Sequence, residues 1–176
     1  PRSTLSSSSA ASDVYKRQLQ GKPEAACEAF YKSVWNAAWQ DPGYFSLARI
    51  EAAKGNLTGA IELANRSLSR NSSNHKTRHL ICMLLRKTGK RDEAFRKAEE
   101  SLELDRFNMG CIYEKFLLTG EVHWRDQLNT MLDGRPESYL EYSMDYLQAG
   151  FFEEASGLIG LYPALAQNEP CLLYTS

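Results

Sequence analysis

Gly21, Gly55 and Gly89 stand 34 residues apart, and a fixed period of that length leaves few folds open to a chain of 176 residues. Each period is one supersecondary unit that cannot bury its apolar side alone, so consecutive units must stack. The same offset carries Ala26 to Ala60 to Ala94 and Ser33 to Ser67 to Ser101. Small residues that recur in phase mark recurring close approaches between neighbouring elements. Inside a period Tyr44, Leu47, Ala48 and Glu51 lie at helical spacing before Lys54-Gly55-Asn56, and Leu57, Ala60, Ile61, Ala64 and Leu68 form an apolar stripe after it. This predicts a helix, a glycine turn and a second helix.

The next unit repeats the plan with Leu80, Ile81, Leu84 and Leu85, then Gly89, then Ala94, Phe95, Ala98 and Leu102. Before Gly55, a partial unit supplies Pro23 at a helix start, followed by Ala26, Ala29, Phe30, Ser33 and Val34. Trp35, Trp39, Tyr44 and Phe45 surround Asp41-Pro42-Gly43, which predicts an aromatic loop cluster stapling the first two helix pairs by burying large area.

These residues resemble the tetratricopeptide repeat over roughly residues 19 to 166. In the unit 41–74 the matching residues are Tyr44, Leu47, Ala48, Gly55, Ala60, Ala64 and Ser67; in the unit 75–108 they are Ile81, Cys82, Gly89, Ala94, Ala98 and Ser101. The proline common at the end of such repeats is Ser72 in one unit and Arg106 in the other. The resemblance implies an all-α fold, a right-handed α-α superhelix (solenoid) of antiparallel helix pairs, with the first helix of each pair lining the concave face. A later unit, Tyr139, Tyr142, Ser143, Tyr146, Gly150, Glu154 and Ala155, fits out of phase. Gly150 lies 61 residues after Gly89, where two periods would give 68. The stretch 109–134 is therefore expected as a compressed pair, with Cys111, Ile112, Phe116 and Leu117 on one helix and Trp124, Leu128, Met131 and Leu132 on the other. Gly120 and Gly134 punctuate it.

The two ends fall outside the pattern. Residues 1–18 open on a serine-rich stretch without a starting methionine, a composition that cannot bury a core. With the closing Cys171-Leu172-Leu173-Tyr174-Thr175-Ser176 they resemble sequencing-adaptor read-through. The expected organisation is an artefact-like tail over 1–18, the repeat array over 19–166 and a second such tail over 167–176, the whole cut from something longer. The stretch from Ala29 to Trp39 is similar to the repeat region of large bacterial proteins that carry an uncharacterised β-rich domain upstream.

Composition narrows the function. A formal net charge of −1 gives no overall pull toward nucleic acid. No apolar run approaches the ~18 to 20 residues of a membrane span, and the start lacks the zones of a secretion signal. A cytoplasmic protein without membrane or nucleic-acid partners is expected. The cysteines Cys27, Cys82, Cys111 and Cys171 show no metal-ligand spacing and read as buried or incidental thiols. His75 and His79 lie four apart, but Lys76 and Arg78 between them oppose a cation. Phosphate loop, nucleophile elbow and dinucleotide fingerprint are absent. The chain therefore reads as no enzyme, with no cofactor and no metal, and the pairs Glu99-Glu100 and Glu153-Glu154 as solvated surface.

Charge is segregated along the chain. From Arg66 to Lys97 ten basic residues face only Asp92 and Glu93, a net of +8; from Ala98 to Glu154 thirteen acids face four basic residues, a net of −9. Helical spacing puts Lys76, His79, Met83 and Arg86 on one side of their helix, and the resemblance turns that side, with Arg49 before it, toward the concave face. Such a groove favours an acidic peptide through charge-assisted hydrogen bonds, with Met83 as an adaptable apolar contact. The expected function is a non-catalytic interaction scaffold that docks a protein or peptide segment, acidic in character, or another domain of its own chain. The alternative is an accessory helical region of a carbohydrate-related enzyme or binding protein whose functional domain lies elsewhere.

Overall fold

The computed structural model describes residues 27, 28, 30–32, 34, 35 and 39–163. The expected tails, and Gly21, Pro23, Ala26, Ala29 and Ser33 of the partial first unit, lie outside the described residues. From Gln40 onward, eight helices follow one another among the described residues: α1 (Gln40–Ala53), α2 (Leu57–Arg70), α3 (His75–Lys87), α4 (Arg91–Leu104), α5 (Met109–Thr119), α6 (Val122–Leu132), α7 (Pro136–Gln148) and α8 (Phe152–Gly160). They form antiparallel hairpins, and each helix packs on the next from α1 to α6.

The 34-residue period has a direct physical reading. Gly55 and Gly89 end α1 and α3 with φ of +85° and +81°, the left-handed conformation that glycine adopts without steric cost. Ala60, Ala64, Ala94 and Ala98 are fully buried, so the second helix of each pair lies against its neighbours with nothing larger than a methyl group between. Leucine at Ala60 or Ala94 should therefore destabilise the fold by about 1–3 kcal/mol through overpacking. Urea unfolding measures it; an unchanged midpoint in both variants would mean the helices have room to spare.

The recurring serine also has a task. Ser67 Oγ donates to Asp41 Oδ1 and lies 3.0 Å from Thr77 Oγ1, while Asn71 and Asn74 each donate to the same Asp41 carboxylate at 2.9 Å. One period later, Asn108 Nδ2 donates to Ser101 Oγ and to the His75 carbonyl, both at 3.0 Å. Each pair is tied to the next through this buried serine and the asparagine that opens the following helix.

Two expectations about the start of the array are corrected. Asp41, Pro42 and Gly43 belong to the first turn of α1 rather than to a loop. Trp35 is 87% exposed, so the aromatic residues there do not form one buried staple; Asp41 holds the α2–α3 turn through hydrogen bonds instead.

The compressed pair is present as α5 and α6, with Gly120 capping α5 at φ +72°. Beyond it the succession breaks. Helix α7 pairs with α8 and returns to approach α1. At the α7–α8 turn, Gly150 has φ +83°, and a Cβ there would stand 3.0 Å from the Cα of Ala53 on α1. Only glycine satisfies both the turn and that approach.

Candidate functional site

Helices α1, α3 and α5 are neighbours and make up the inner wall of the array. Arg49 stands on α1, and Lys76, His79, Met83 and Arg86 follow one another on α3 at three- and four-residue steps, which places them along one side. The structure brings Arg49, Lys76, His79 and Arg86 to the inner wall and lays the α7–α8 pair over it; Met83, expected as an adaptable contact in the groove, is instead part of the core.

The contacts run the length of α3. Arg49 Nη1 donates to Gln148 Oε1. Lys76 Nζ lies 3.4 Å from Asp145 Oδ1 and 3.6 Å from Glu141 Oε1. His79 Nε2 is 3.1 Å from Tyr146 Oη. Arg86 donates from Nε to Glu114 Oε2 at 2.7 Å and from Nη2 to Glu154 Oε1 at 3.0 Å, and Lys87 Nζ reaches the same Glu154 oxygen at 2.7 Å. Met83 is buried in the core. The net positive stretch of the chain thus meets the net negative stretch within one molecule.

At the centre is a closed polar network. Glu114, on α5, is 0% exposed and accepts from Arg86 and from Tyr146 Oη, the latter at 2.6 Å. Because the tyrosine proton is directed at Glu114, His79 must offer Nε2–H to the phenol oxygen, leaving Nδ1 bare. That nitrogen lies 3.9 Å from Asp145 Oδ2. Burial, reinforced by Lys76, Arg86 and His75, lowers the His79 pKa from 6.5 to about 3, so the ring is neutral at pH 7. Burial also raises Asp145 despite the neighbouring Lys76. For Arg86 burial opposes the charge, but Glu114 outweighs it and holds the guanidinium firmly protonated. Glu154 is likewise pulled up by burial, yet hydrogen bonds from Lys87 and Arg86 carry it below its ordinary value.

Glu154 corrects the expectation that Glu153-Glu154 is solvated surface: it is buried, and only Glu153 is exposed. Glu99 and Glu100 are exposed as expected. Cys82 and Cys111 are buried with their sulfurs 4.0 Å apart, in keeping with structural thiols; Cys171 lies outside the described residues. Among the described residues, no group of three His, Cys, Asp or Glu side chains is placed to hold a metal ion, and no helix is long and apolar enough to cross a membrane.

The sequence marks Tyr146 only as a repeat position and does not single out Glu114. Their contact has no local signal, since the two residues are 32 apart and meet only because α7 returns to the inner wall. The available hint was global: two charge blocks of nearly equal size and opposite sign.

Gly110, at the start of α5, makes room for the histidine. A Cβ there would fall 2.3 Å from His79 Nδ1. Alanine ordinarily favours a helix over glycine by about 1 kcal/mol; here Gly110→Ala should instead destabilise by about 1–3 kcal/mol, because the buried ring has nowhere to move. A variant with a higher melting temperature than the parent would show that His79 can shift.

A second depression, on the other side of the array, encloses about 410 Å³ and is lined by Glu99, Leu102, Glu103, Arg106, Lys115, Trp124 and Gln127. Its lysine is already in use: Lys115 Nζ sits 3.9 Å from the Trp124 ring centre, 4.4 Å from that of Phe95 and 3.3 Å from Glu99. The inner wall is the larger meeting of charge.

No protein-family model matches the sequence. Solved structures do resemble the fold. A MamA chain (41-end) from Desulfovibrio magneticus RS-1 superposes with a TM-score of 0.63 at 10% identity, covering 91% of this chain and 94% of that one. TTC0263, described as a thermophilic TPR protein in Thermus thermophilus, gives 0.59 at 14% identity over 92% of each chain. YrrB, described as a TPR protein with an unusual peptide-binding site, gives 0.55 at 12% identity, covering 89% of this chain and 84% of that one. At these identities the likeness shows the fold, which is the helix-pair solenoid of tetratricopeptide proteins.

Proposed function

We propose that this tetratricopeptide-fold array is a non-catalytic interaction scaffold whose basic inner wall, built on Arg49, Lys76, His79 and Arg86 over the buried Met83, receives an acidic protein segment. The observation that carries the reading is the α7–α8 pair itself. It is an acidic helical segment seated on that wall by ion pairs to Lys76, Arg86 and Lys87. A surface that holds one such segment has the charge and hydrogen-bonding groups to hold another. The structural neighbour described as having a peptide-binding site supports the same class of partner.

Nucleic acid is the weaker reading of the basic stretch, because much of its charge is answered by carboxylates of the same chain and α7 adds acids beside it. The carbohydrate-related alternative gains no support from the fold neighbours. On our reading the partner is met in the cytoplasm.

The test is salt. Fluorescence anisotropy with labelled acidic helical peptides should show affinity that falls several-fold between about 50 and 300 mM salt, since exposed charge attraction is screened over about a Debye length. Lys76→Glu should weaken it further. An affinity indifferent to both would remove the inner-wall charges from the account.

A further inference from the structure

The α7–α8 pair is held differently from the rest of the array. Residues 136–163 contain five acidic side chains and no lysine or arginine. Asp145 and Glu154 are turned inward and buried, while Leu140, Met144 and Leu147, one helical stripe, are exposed. The inward side of α7 is thus mixed, with Tyr139 and Tyr146 buried beside Asp145, where a helix docked by hydrophobic burial alone would turn its leucines inward. Tyr139, Tyr146, Ala149, Phe151, Ala155 and Leu158 of the pair join the hydrophobic core of the array, and beside them stands a polar contact with Lys76, His79, Arg86, Lys87, Glu114 and the Tyr113 hydroxyl, which donates to the Glu154 carbonyl at 3.2 Å.

The ion-paired part of this contact opens at lower cost than an apolar contact would, because ion pairs gain little over their hydrated state. Arg86 keeps Glu114 with or without α7, as both stand on the body of the array. The connection to that body also suits a swing: Asp133 and Gly134, between α6 and α7, are consecutive residues at φ +52° and +60°.

We infer that α7–α8 is a resident occupant of the inner wall, and that the external partner is an acidic helix copying α7, with carboxylates in the places of Glu141 and Asp145 and a tyrosine in the place of Tyr146, which binds by displacing it. The inference rests on the proposed reading of the wall and adds the partner's pattern and the competition. Lys76 receives the carboxylates; the space between His79 and Glu114 receives the phenol. Apparent affinity is then reduced by the fraction of molecules in which the wall is open.

The experiment uses the whole chain and a labelled peptide with the sequence of residues 136–163. Asp145→Lys sets a like charge against Lys76 on the hairpin side and leaves the wall intact. A second variant, Leu140→Gln with Met144→Gln, changes only the exposed stripe of α7 and leaves its inward contacts in place. Hydrogen exchange over residues 136–160 reports whether α7–α8 is docked. The expected result is peptide binding about tenfold or more tighter to Asp145→Lys than to the unaltered chain. The exposed-stripe variant should bind the peptide no more tightly than the unaltered chain does, and a peptide with amides in place of its carboxylates should not bind. Equal binding to all forms, with the α7–α8 amides still protected, would overturn the displacement and leave the scaffold reading standing. Free exchange of α7–α8 in Asp145→Lys with no peptide binding at low salt would overturn the scaffold reading itself.

Discussion

Replacing Glu114 with alanine should lower the stability of the fold by about 3–5 kcal/mol, the range for removing one partner of a buried ion pair. Its carboxylate takes hydrogen bonds from Arg86 and Tyr146 inside the protein and is wholly shielded from water. Without it, the Tyr146 hydroxyl loses its acceptor and the orientation of the His79 hydrogen bond is no longer dictated. Arg86 is left with Glu154 alone among the carboxylates it pairs with in the structure. The Arg86 side chain is only 12% exposed, so water cannot make good the loss without movement of α7 or α8. Urea unfolding should show a lower midpoint, and hydrogen exchange should show the loss concentrated in α7 and α8. A change below about 1 kcal/mol would mean that water reaches the network readily.

Acidification should unfold the protein through His79. Its pKa in the folded chain is about 3, against 6.5 in the unfolded one. Between those values the unfolded chain holds a proton that the native ring rejects, so stability is full above pH 6.5 and falls as pH drops toward 3. The slope is up to ~1.4 kcal/mol per pH unit. The groups facing the ring are Tyr142, Asp145 and Tyr146 from α7, Lys76, Arg86 and His75 from α3, and Glu114 of α5 through Tyr146. Asp145, whose pKa is raised in the native state, adds stability as it takes up its proton and opposes the loss in the lower part of the window. Glu154, whose pKa is lowered, adds to the loss below its ordinary value of 4.5. The interval between about pH 6.5 and 5 therefore reports mainly on His79. His79→Gln, whose amide can reach the same phenol oxygen, should flatten the stability profile there; an unchanged slope would assign it to other groups.

The placement of Leu140, Met144 and Leu147 in solvent, with Asp145 turned inward, shows why helical periodicity alone misjudges α7. Its tyrosines and its acids are both candidates for burial, and pattern favours the apolar stripe. The native arrangement is decided by what the opposite wall offers. Lys76, Arg86 and the Nε2–H of His79 are better matched by carboxylates and a phenol oxygen than by leucines, since an unanswered buried charge costs more than an exposed leucine. The same competition buries Glu154, which local reasoning places beside Glu153 on the surface.

By itself the sequence determined the helices, their pairing and their turns: the 34-residue offset, the glycines that end α1 and α3, the alanines at close approaches and the serine that recurs with them are local or nearest-neighbour features, and stacking repeats is a nearest-neighbour problem. It also determined that the array carries two opposed blocks of charge, and it brought Arg49, Lys76, His79 and Arg86 to one face. Only the tertiary structure decided what covers that face. The direction taken by α7 depends on the short α5–α6 pair and on two left-handed residues after it, and a small change of angle there moves the following helices by many ångströms. Contacts such as Arg49 with Gln148, 99 residues apart, are products of that geometry, and no period in the chain encodes them.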